Sequence, residues 1–474
     1  MTGAAFFDLD RTLLPHASGT IFAKHLEAEG IHSAAASVPG AELMVKAYDV
    51  FGETKLNMRL AKLAVRGAKG WSVKAVERAA KNSVSDLIDA IGGYGKVIID
   101  QHRAAGDKLV IASTSPVVLM APLAKALGFD AVIGTEWKSE GGVFVGKADG
   151  EFVWGPKKRK AIKRWAHENG VSLKESTAYT DSYYDTPMLT AVGTAVAVNP
   201  DARLAAVAAL QGWEIRYFDA PPGVLKVAGF EMQDAMSWLT RPELAPNAKW
   251  QFSGVENVPT EGAAILAFNH RSYFDVMAMQ QLFGIVDRPS RFLGKAELFD
   301  NPVVGPIARL AGGIRVDRGS GSSEPLEKAV EALRAGEIVS IAPQGTIPRG
   351  QKFFDPVLVG RPGAAQLAKD GGKVPVIPIG LWGTEKVWPR NEKVPNFNLV
   401  KPPPVSVAVG EPVDLKYRST RTDTVRIMEA ISALLPEEAH TRIEPTAAQL
   451  AKTFPADYEM TEEDLLLPNG ERAS

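Results

Sequence analysis

Phe6-Phe7-Asp8-Leu9-Asp10-Arg11-Thr12-Leu13-Leu14 stands almost at the N-terminus and decides how the first half of the chain is read. Residues 4–9 are apolar enough for a short buried strand, and two carboxylates two residues apart stand at its end. That placement suits phosphoryl transfer through an aspartyl phosphate. Asp8 attacks phosphorus, and Asp10 protonates the leaving oxygen. Two anions repel an anionic substrate, so a divalent cation is required, and an oxygen-rich site suits Mg2+.

Outward from this stretch, the pattern from Ile21 to His102 is helical, and Lys108-Leu109-Val110-Ile111-Ala112 is a second buried strand. Ala131-Val132-Ile133 and Gly142-Val143-Phe144-Val145 are strand-like, and Arg159–Asn169 is a helix. Thr177-Ala178-Tyr179 and Ala195-Val196-Ala197-Val198 are further strands. Strands alternating with helices predict an α/β fold with a Rossmann-like, doubly wound parallel sheet. The active site of such a sheet lies at the carboxyl ends of its strands. The candidate residues obey that rule. Thr12 closes the first motif as a phosphate-binding candidate. Ser113 follows the second strand as a donor to the phosphoryl group, with Thr114 and Ser115 as competitors. Asp181 and Asp185, in Tyr179-Thr180-Asp181-Ser182-Tyr183-Tyr184-Asp185, complete a metal site with Asp8 and Asp10. Lys158 offers a cation for the pentacovalent species, and Lys157 beside it is the competing choice.

In this order the elements resemble the haloacid dehalogenase superfamily, in its phosphoserine-phosphatase-like branch, over residues 4–218. The resemblance implies Asp8 as nucleophile, Asp10 as general acid and base, Ser113 and Lys158 as phosphate binders, and Asp181 as a metal ligand. It also implies that the helical insertion, about residues 16–102, is a cap over the site.

A second signature is Asn269-His270-Arg271-Ser272-Tyr273-Phe274-Asp275, after the buried strand Ala264-Ile265-Leu266-Ala267-Phe268. A hydroxyl attacking a thioester needs a base, and a neutral imidazole is suited to that near pH 7. Asp275 fixes its tautomer and stabilises the imidazolium. The chain holds no Cys and no evident Ser nucleophile, which favours direct transfer over an acyl-enzyme. Four blocks carry the pattern onward: Phe292-Leu293-Gly294-Lys295, then Gly312–Arg318, Pro343–Arg349 and Val374–Ile379. Together with the signature they resemble the glycerophospholipid acyltransferase family over about residues 250–400. The resemblance implies acyl-CoA or acyl-carrier protein as donor and a lysophospholipid as acceptor. Gly313–Arg318 is closer to the lysophosphatidate enzymes than to the glycerol-3-phosphate ones. Lys295, Arg318 and Arg349 offer cations for the acceptor phosphate, with Gly345 and Thr346 in the third block. That block departs from the family's Glu-Gly-Thr-Arg. It reads Gln344-Gly345-Thr346-Ile347 here, and Arg349 is the candidate replacement for the missing Arg.

A length of 474 residues predicts two or three domains. We expect a phosphatase-like domain over 1–218, a linker with an amphipathic helix over 219–248, and an acyltransferase domain over 249–415. A C-terminal helix (Thr424–Leu434) and acidic tail would occupy 416–474. Hydrophobic content of 45% and charged content of 23% describe a folded protein. The formal net charge of −1 provides no field for nucleic acid, so attraction to a membrane must be local. No stretch approaches the ~20 apolar residues of a spanning helix, and the N-terminus lacks a signal-peptide pattern. The expected location is cytoplasmic and peripheral, on the inner face of the cell membrane. Val224–Leu239 is one candidate for membrane contact, or else a packed linker helix, and Leu282-Phe283-Gly284-Ile285-Val286 is another. The expected function is a bifunctional enzyme of glycerolipid synthesis. The alternatives are an acyltransferase with a scaffold-like first domain, or a phosphatase half acting on phosphoserine or another small phosphomonoester.

Overall fold

The computed structural model describes residues 2–31, 53–222, 240–300, 304–310, 312–317 and 324–465, with positions 224, 226, 231 and 233. The chain divides into two compact units between Gly223 and Val224.

In the first unit, β1 (Ala4–Phe7), β2 (Lys108–Pro116), β3 (Ala131–Thr135), β6 (Thr177–Thr180), β7 (Thr194–Val198) and β8 (Glu214–Arg216) form one sheet. Its order is β3-β2-β1-β6-β7-β8, and every pairing is parallel. The chain runs from β1 outward through β2 to β3 and later returns to β6 on the other side of β1, so the switch point of the sheet, where ligands collect, lies at the carboxyl ends of β1 and β6. Asp8 stands there. Both faces are covered: Ala5 and Phe7 share a core with Ile98 and Ile99, while Ala4 and Phe6 share another with Ile162 and Leu204. This explains the unbroken apolar run of β1, since a strand buried on both faces shows no polar alternation. The helix Gly93–Ala105 therefore belongs to the sheet's covering layer, although the expected cap ran to 102. Helices at Gly19–Ala28, Lys55–Gly67, Val73–Asn82 and Val84–Ala90 precede it. The strand expected near Gly142 is β5 (Val143–Ala148), which pairs antiparallel with β4 (Trp137–Glu140) as a hairpin separate from the main sheet.

In the second unit, seven strands are ordered β12-β11-β13-β10-β14-β15-β9. They are β9 (Lys249–Ser253), β10 (Ala264–Phe268), β11 (Ser290–Lys295), β12 (Ile314–Val316), β13 (Ile338–Ile341), β14 (Val376–Trp382) and β15 (Pro404–Val409). From β12 to β14 all neighbours are parallel, so five carboxyl ends share one edge; β14 and β15 are antiparallel. Successive β10 residues alternate between two cores, Leu266 and Phe268 in one and Ile265 and Ala267 in the other.

Two expectations change. Leu282 and Phe283 lie in the core with Leu266, because the helix Asp275–Val286 turns that side onto the sheet, so 282–286 is not a surface patch. The helix Thr420–Ala433 places Ile427 and Ile431 in the core with Ile265, and Leu450 and Phe454 are buried beyond it. The expected helix at Thr424–Leu434 is there, and the stretch after it, expected as a tail, is anchored through Leu450 and Phe454. Most of Val224–Leu239 lies outside the described residues. No described helix is long and apolar enough to cross a membrane.

Leu266 is fully buried at the centre of β10. Leu266→Ala should cost the second unit about 2–5 kcal/mol, read as an earlier urea midpoint. An unchanged midpoint would contradict the core placement.

Candidate active sites

At the end of β1, Asp8 meets Lys158 from the helix Pro156–Glu168. The Lys158 ammonium is fully buried, 3.1 Å from Asp8 Oδ2 and 2.5 Å from Asp185 Oδ2. Lys157 points elsewhere, its ammonium 3.9 Å from Glu151 at the surface. Pro156 at the first turn, after Gly155 at φ +57°, starts the helix so that Lys158 faces inward. Burial alone would lower the Lys158 pKa, but Asp185, Asp8 and Glu53 outweigh it and hold the ammonium above its ordinary value. Burial pushes the Asp185 carboxyl up, with Asp8 and Glu53 adding to it against Lys158. The Thr180 hydroxyl also donates to Asp185 Oδ2, at 2.8 Å.

The remaining first-site candidates are arranged less simply. Asp10 accepts from the Ser18 N–H at 2.5 Å and the Ser115 hydroxyl at 2.9 Å, so of the candidates after β2 it is Ser115 whose hydroxyl is bonded to Asp10. Ser113 is buried nearby and accepts from the Ser115 N–H. Asp10 keeps some accessible surface, yet protein crowds its carboxyl, and that desolvation raises its pKa despite the Ser18 bonds. A carboxyl with a raised pKa retains its proton to higher pH, as a general acid must. Thr12 exchanges hydrogen bonds with Asp181, donating at 3.4 Å and accepting from its N–H at 3.0 Å. That hydroxyl ties two loops together, which leaves it poorly placed as a phosphate ligand. Arg11 Nε lies 3.0 Å from Asp181 Oδ2.

Glu53 went unnoticed in the sequence because no motif marks it. Its carboxylate is buried and accepts from Ser182 Oγ at 2.6 Å and Trp154 Nε1 at 3.0 Å. Burial raises its pKa, and Asp8 adds to that against the lowering by Lys158.

The donor set fits a hard cation on charge and chemistry. Asp8, Glu53, Asp181 and Asp185 are all buried, against two cations, Lys158 and Arg11, and Asp185 Oδ1 is buried with no hydrogen-bond partner. Burial raises the Asp181 pKa well above the usual range, with Asp8 among the contributors, and a bound cation would relieve that. Among the described residues, however, no three acidic or histidine side chains converge on one point. Asp10 is committed to serines and leaves the expected set of four, while Asp185 Oδ2 is committed to Lys158 and Thr180, so Asp185 would reach an ion held by Asp8 and Asp181 only through its unpartnered Oδ1.

In the second unit His270 follows β10, and its Nδ1 lies 2.6 Å from Asp275 Oδ2. Asp275 opens the helix Asp275–Val286 and is fully buried. Its Oδ2 also accepts from the N–H groups of Arg271 and Ser272, at 2.7 and 2.9 Å, and Thr384 Oγ1 donates to Oδ1 at 2.5 Å. Gln344, the departure in the third block, holds the His270 backbone in place. Its Oε1 accepts the His270 N–H at 2.7 Å. An amide oxygen performs this as a carboxylate would. Ile347 is buried, and its carbonyl accepts from Arg390 Nη1 at 2.8 Å. Arg390 itself is 4% exposed. Burial lowers its pKa, and neighbouring Arg349 adds to that against the Tyr273 hydrogen bond. Arg390 was missed because it comes about forty residues after the block that it meets. Gly345 has φ +73°, and Arg361 crosses so close that a Cβ there would lie 3.3 Å from its Cδ. Thr346 is partly buried beside it, and Lys295 stands at the carboxyl end of β11. Arg318 lies outside the described residues.

Residues 5–190 match the haloacid dehalogenase-like hydrolase family, and 249–382 match the acyltransferase family. Phosphoserine phosphatase SerB1 of Mycobacterium tuberculosis is 35% identical over 221 residues, 46% of this chain and 71% of that one. The chain belongs to the haloacid dehalogenase-like hydrolases. Histidinol-phosphatase of Neisseria meningitidis is 26% identical over 233 residues, 46% of this chain and 100% of that one. Among solved structures, the 1-acyl-sn-glycerophosphate acyltransferase PlsC of Thermotoga maritima is 24% identical with a TM-score of 0.34, covering 42% of this chain and 77% of that one. A haloacid dehalogenase-type phosphatase unit is therefore joined to an acyltransferase unit.

Lys158→Met strands two buried carboxylates and should destabilise the phosphatase unit by about 3–5 kcal/mol in urea unfolding. Lys158→Met/Asp185→Leu should recover much of that stability while phosphate release stays lost. Equal instability of the two variants would contradict the pairing. In the acyltransferase unit, Gln344→Leu leaves the His270 N–H without its acceptor, a cost of about 1–3 kcal/mol. Acyl transfer should fall roughly tenfold to a hundredfold, and Gln344→Glu should retain most of it. An unaffected Gln344→Leu enzyme would remove Gln344 from the site.

Proposed function

We propose that the chain is a bifunctional glycerolipid-synthesis enzyme, acylating a lysophosphatidate-like acceptor at His270 and hydrolysing a phosphomonoester at Asp8. The observation that carries the reading is the His270–Asp275 pair, held by two backbone N–H groups and Thr384, on a chain that also belongs to a phosphatase family.

For acyl transfer, Asp275 holds the Nδ1 proton, so Nε2 is the basic nitrogen. The acceptor hydroxyl gives Nε2 its proton as its oxygen attacks the thioester carbonyl. On collapse the C–S bond breaks, and the thiol leaves with the proton from Nε2. Arg349, Arg390 and Lys295 are the candidate anchors for the acceptor phosphate, with Gly345 and Thr346 supplying the loop around it. For phosphate release, an Asp8 oxygen attacks phosphorus, and Asp10 protonates the departing alkoxide. Water then attacks the aspartyl phosphate, giving its proton back to Asp10. Lys158 and Ser113 face the phosphoryl group. Mg2+ held by Asp8 and Asp181 would supply charge neutralisation when bound.

For the phosphatase substrate, fusion to a lipid acyltransferase favours a glycerol-phosphate lipid. Glu53 favours a second reading, because a buried carboxylate beside the site suits a substrate bearing an ammonium group, such as phosphoserine. Phosphate release with Mg2+ from phosphoserine, glycerol phosphate, lysophosphatidate and phosphatidate separates the two. A glycerol-phosphate lipid should be the best substrate, and strong preference for phosphoserine would overturn the shared-lipid reading. Mass spectrometry of products from lysophosphatidate, acyl-CoA and Mg2+ tests the acyl step: phosphatidate or diacylglycerol is expected. An unchanged lysophosphatidate pool would refute it.

A further inference from the structure

A lipid acceptor requires the second unit to meet a bilayer, and with a net charge of −1 the attraction must come from one place on the surface. Scattered exposed apolar residues are ordinary. The loop beyond Trp388 is different. In Val394-Pro395-Asn396-Phe397-Asn398-Leu399-Val400, Phe397 is 68% exposed, Leu399 61% and Val400 89%. The loop's asparagine side chains satisfy three of its backbone amides. The Asn398 N–H donates to Asn396 Oδ1 at 3.0 Å, and the N–H groups of Val400 and Lys401 donate to Asn398 Oδ1 at 3.1 and 3.0 Å. The asparagines thus free the apolar side chains to leave water without stranding these amides.

The apolar surface continues past the loop. Phe397 and Leu399 line a cavity of about 370 Å³ with Leu244, Phe274, Met277 and Trp388, and Leu244 is itself 61% exposed. Cations border it. Between residues 386 and 401 the exposed charges are Lys386, Lys393 and Lys401 against a single acid, Glu392.

We propose that this face seats the protein on a bilayer with anionic head groups. Phe397, Leu399 and Val400 enter the boundary between head groups and acyl chains, and Lys393 and Lys401 meet the head-group phosphates. The proposal rests on the lipid-acyltransferase reading and deepens it. Phe274 lines the cavity and precedes Asp275, and the Ser272 hydroxyl donates to the Trp388 carbonyl at 2.6 Å. Docking here therefore brings the His270 loop to the lipid surface. A second copy of the chain fits less well, because like charges flanking the apolar patch would face one another across the interface.

Flotation of the full chain with phosphatidylcholine vesicles, with and without phosphatidylglycerol, tests this. The protein should float, more strongly with phosphatidylglycerol. Phe397→Ser/Leu399→Ser should lower partitioning roughly tenfold or more, and Lys393→Gln/Lys401→Gln should abolish only the phosphatidylglycerol enhancement. Val357→Ser/Val359→Ser, on another exposed apolar loop, should leave flotation intact. Unchanged thermal unfolding, and unchanged hydrolysis of p-nitrophenyl phosphate by the first unit, would show that these variants fold. Wild-type flotation of the Phe397/Leu399 variant would overturn the proposal, as would equal loss in the Val357/Val359 variant. So would a dimer in sedimentation velocity that the Phe397/Leu399 change breaks. If the variants lose flotation but the wild type acylates no lysophospholipid, the surface stands and the acyltransferase reading fails. Acyl transfer by a wild type that does not float has the reverse meaning.

Discussion

A carboxylate taken out of water must be met by donors or by a cation, because an uncompensated buried charge costs more than most single contacts return. Both units are organised around that constraint. Asp275 is met by two backbone amides, a threonine hydroxyl and the imidazole of His270. Asp8 is met by the ammonium of Lys158, which it shares with Asp185. The loops that hold these partners leave the carboxyl ends of parallel strands, where backbone amides and side chains from several crossovers converge.

The two solutions differ as their chemistry requires. Neutral donors surround Asp275 and its Oδ2 faces His270 Nδ1, which suits a carboxylate that acts through the imidazole. The first site keeps an excess of negative charge over Lys158 and Arg11, and Glu53 contributes to it. Such a site calls for a further cation before an anionic phosphoester enters. Burial raises the pKa of Asp10, which suits the proton-carrying role proposed for it.

Much of this was legible in the chain because buried strands followed by acids or histidine are strong local signals. The runs before Asp8 and His270 became β1 and β10, each at the middle of its sheet. What was not legible depended on partners distant in sequence. Lys157 and Lys158 are alike until the helix begins at Pro156 and one faces inward. Gln344 looked like a loss until the His270 amide was seen to need only an acceptor. Glu53 and Arg390 carry no motif, and tertiary packing alone brings them to the sites. By sequence Leu282 and Phe283 read as a membrane-contact patch, but they lie in the core, since an apolar run does not say which side of a helix meets the sheet.

The central claim is that one chain holds two centres with separate catalytic groups. It is tested most directly by following thiol release from acyl-CoA with lysophosphatidate, and phosphate release with Mg2+, in the same preparations of Asp8→Asn and His270→Ala. Asp8→Asn should abolish phosphate release and keep thiol release, and His270→Ala should do the reverse. Phosphate release that survives Asp8→Asn, or thiol release that survives His270→Ala, would contradict it.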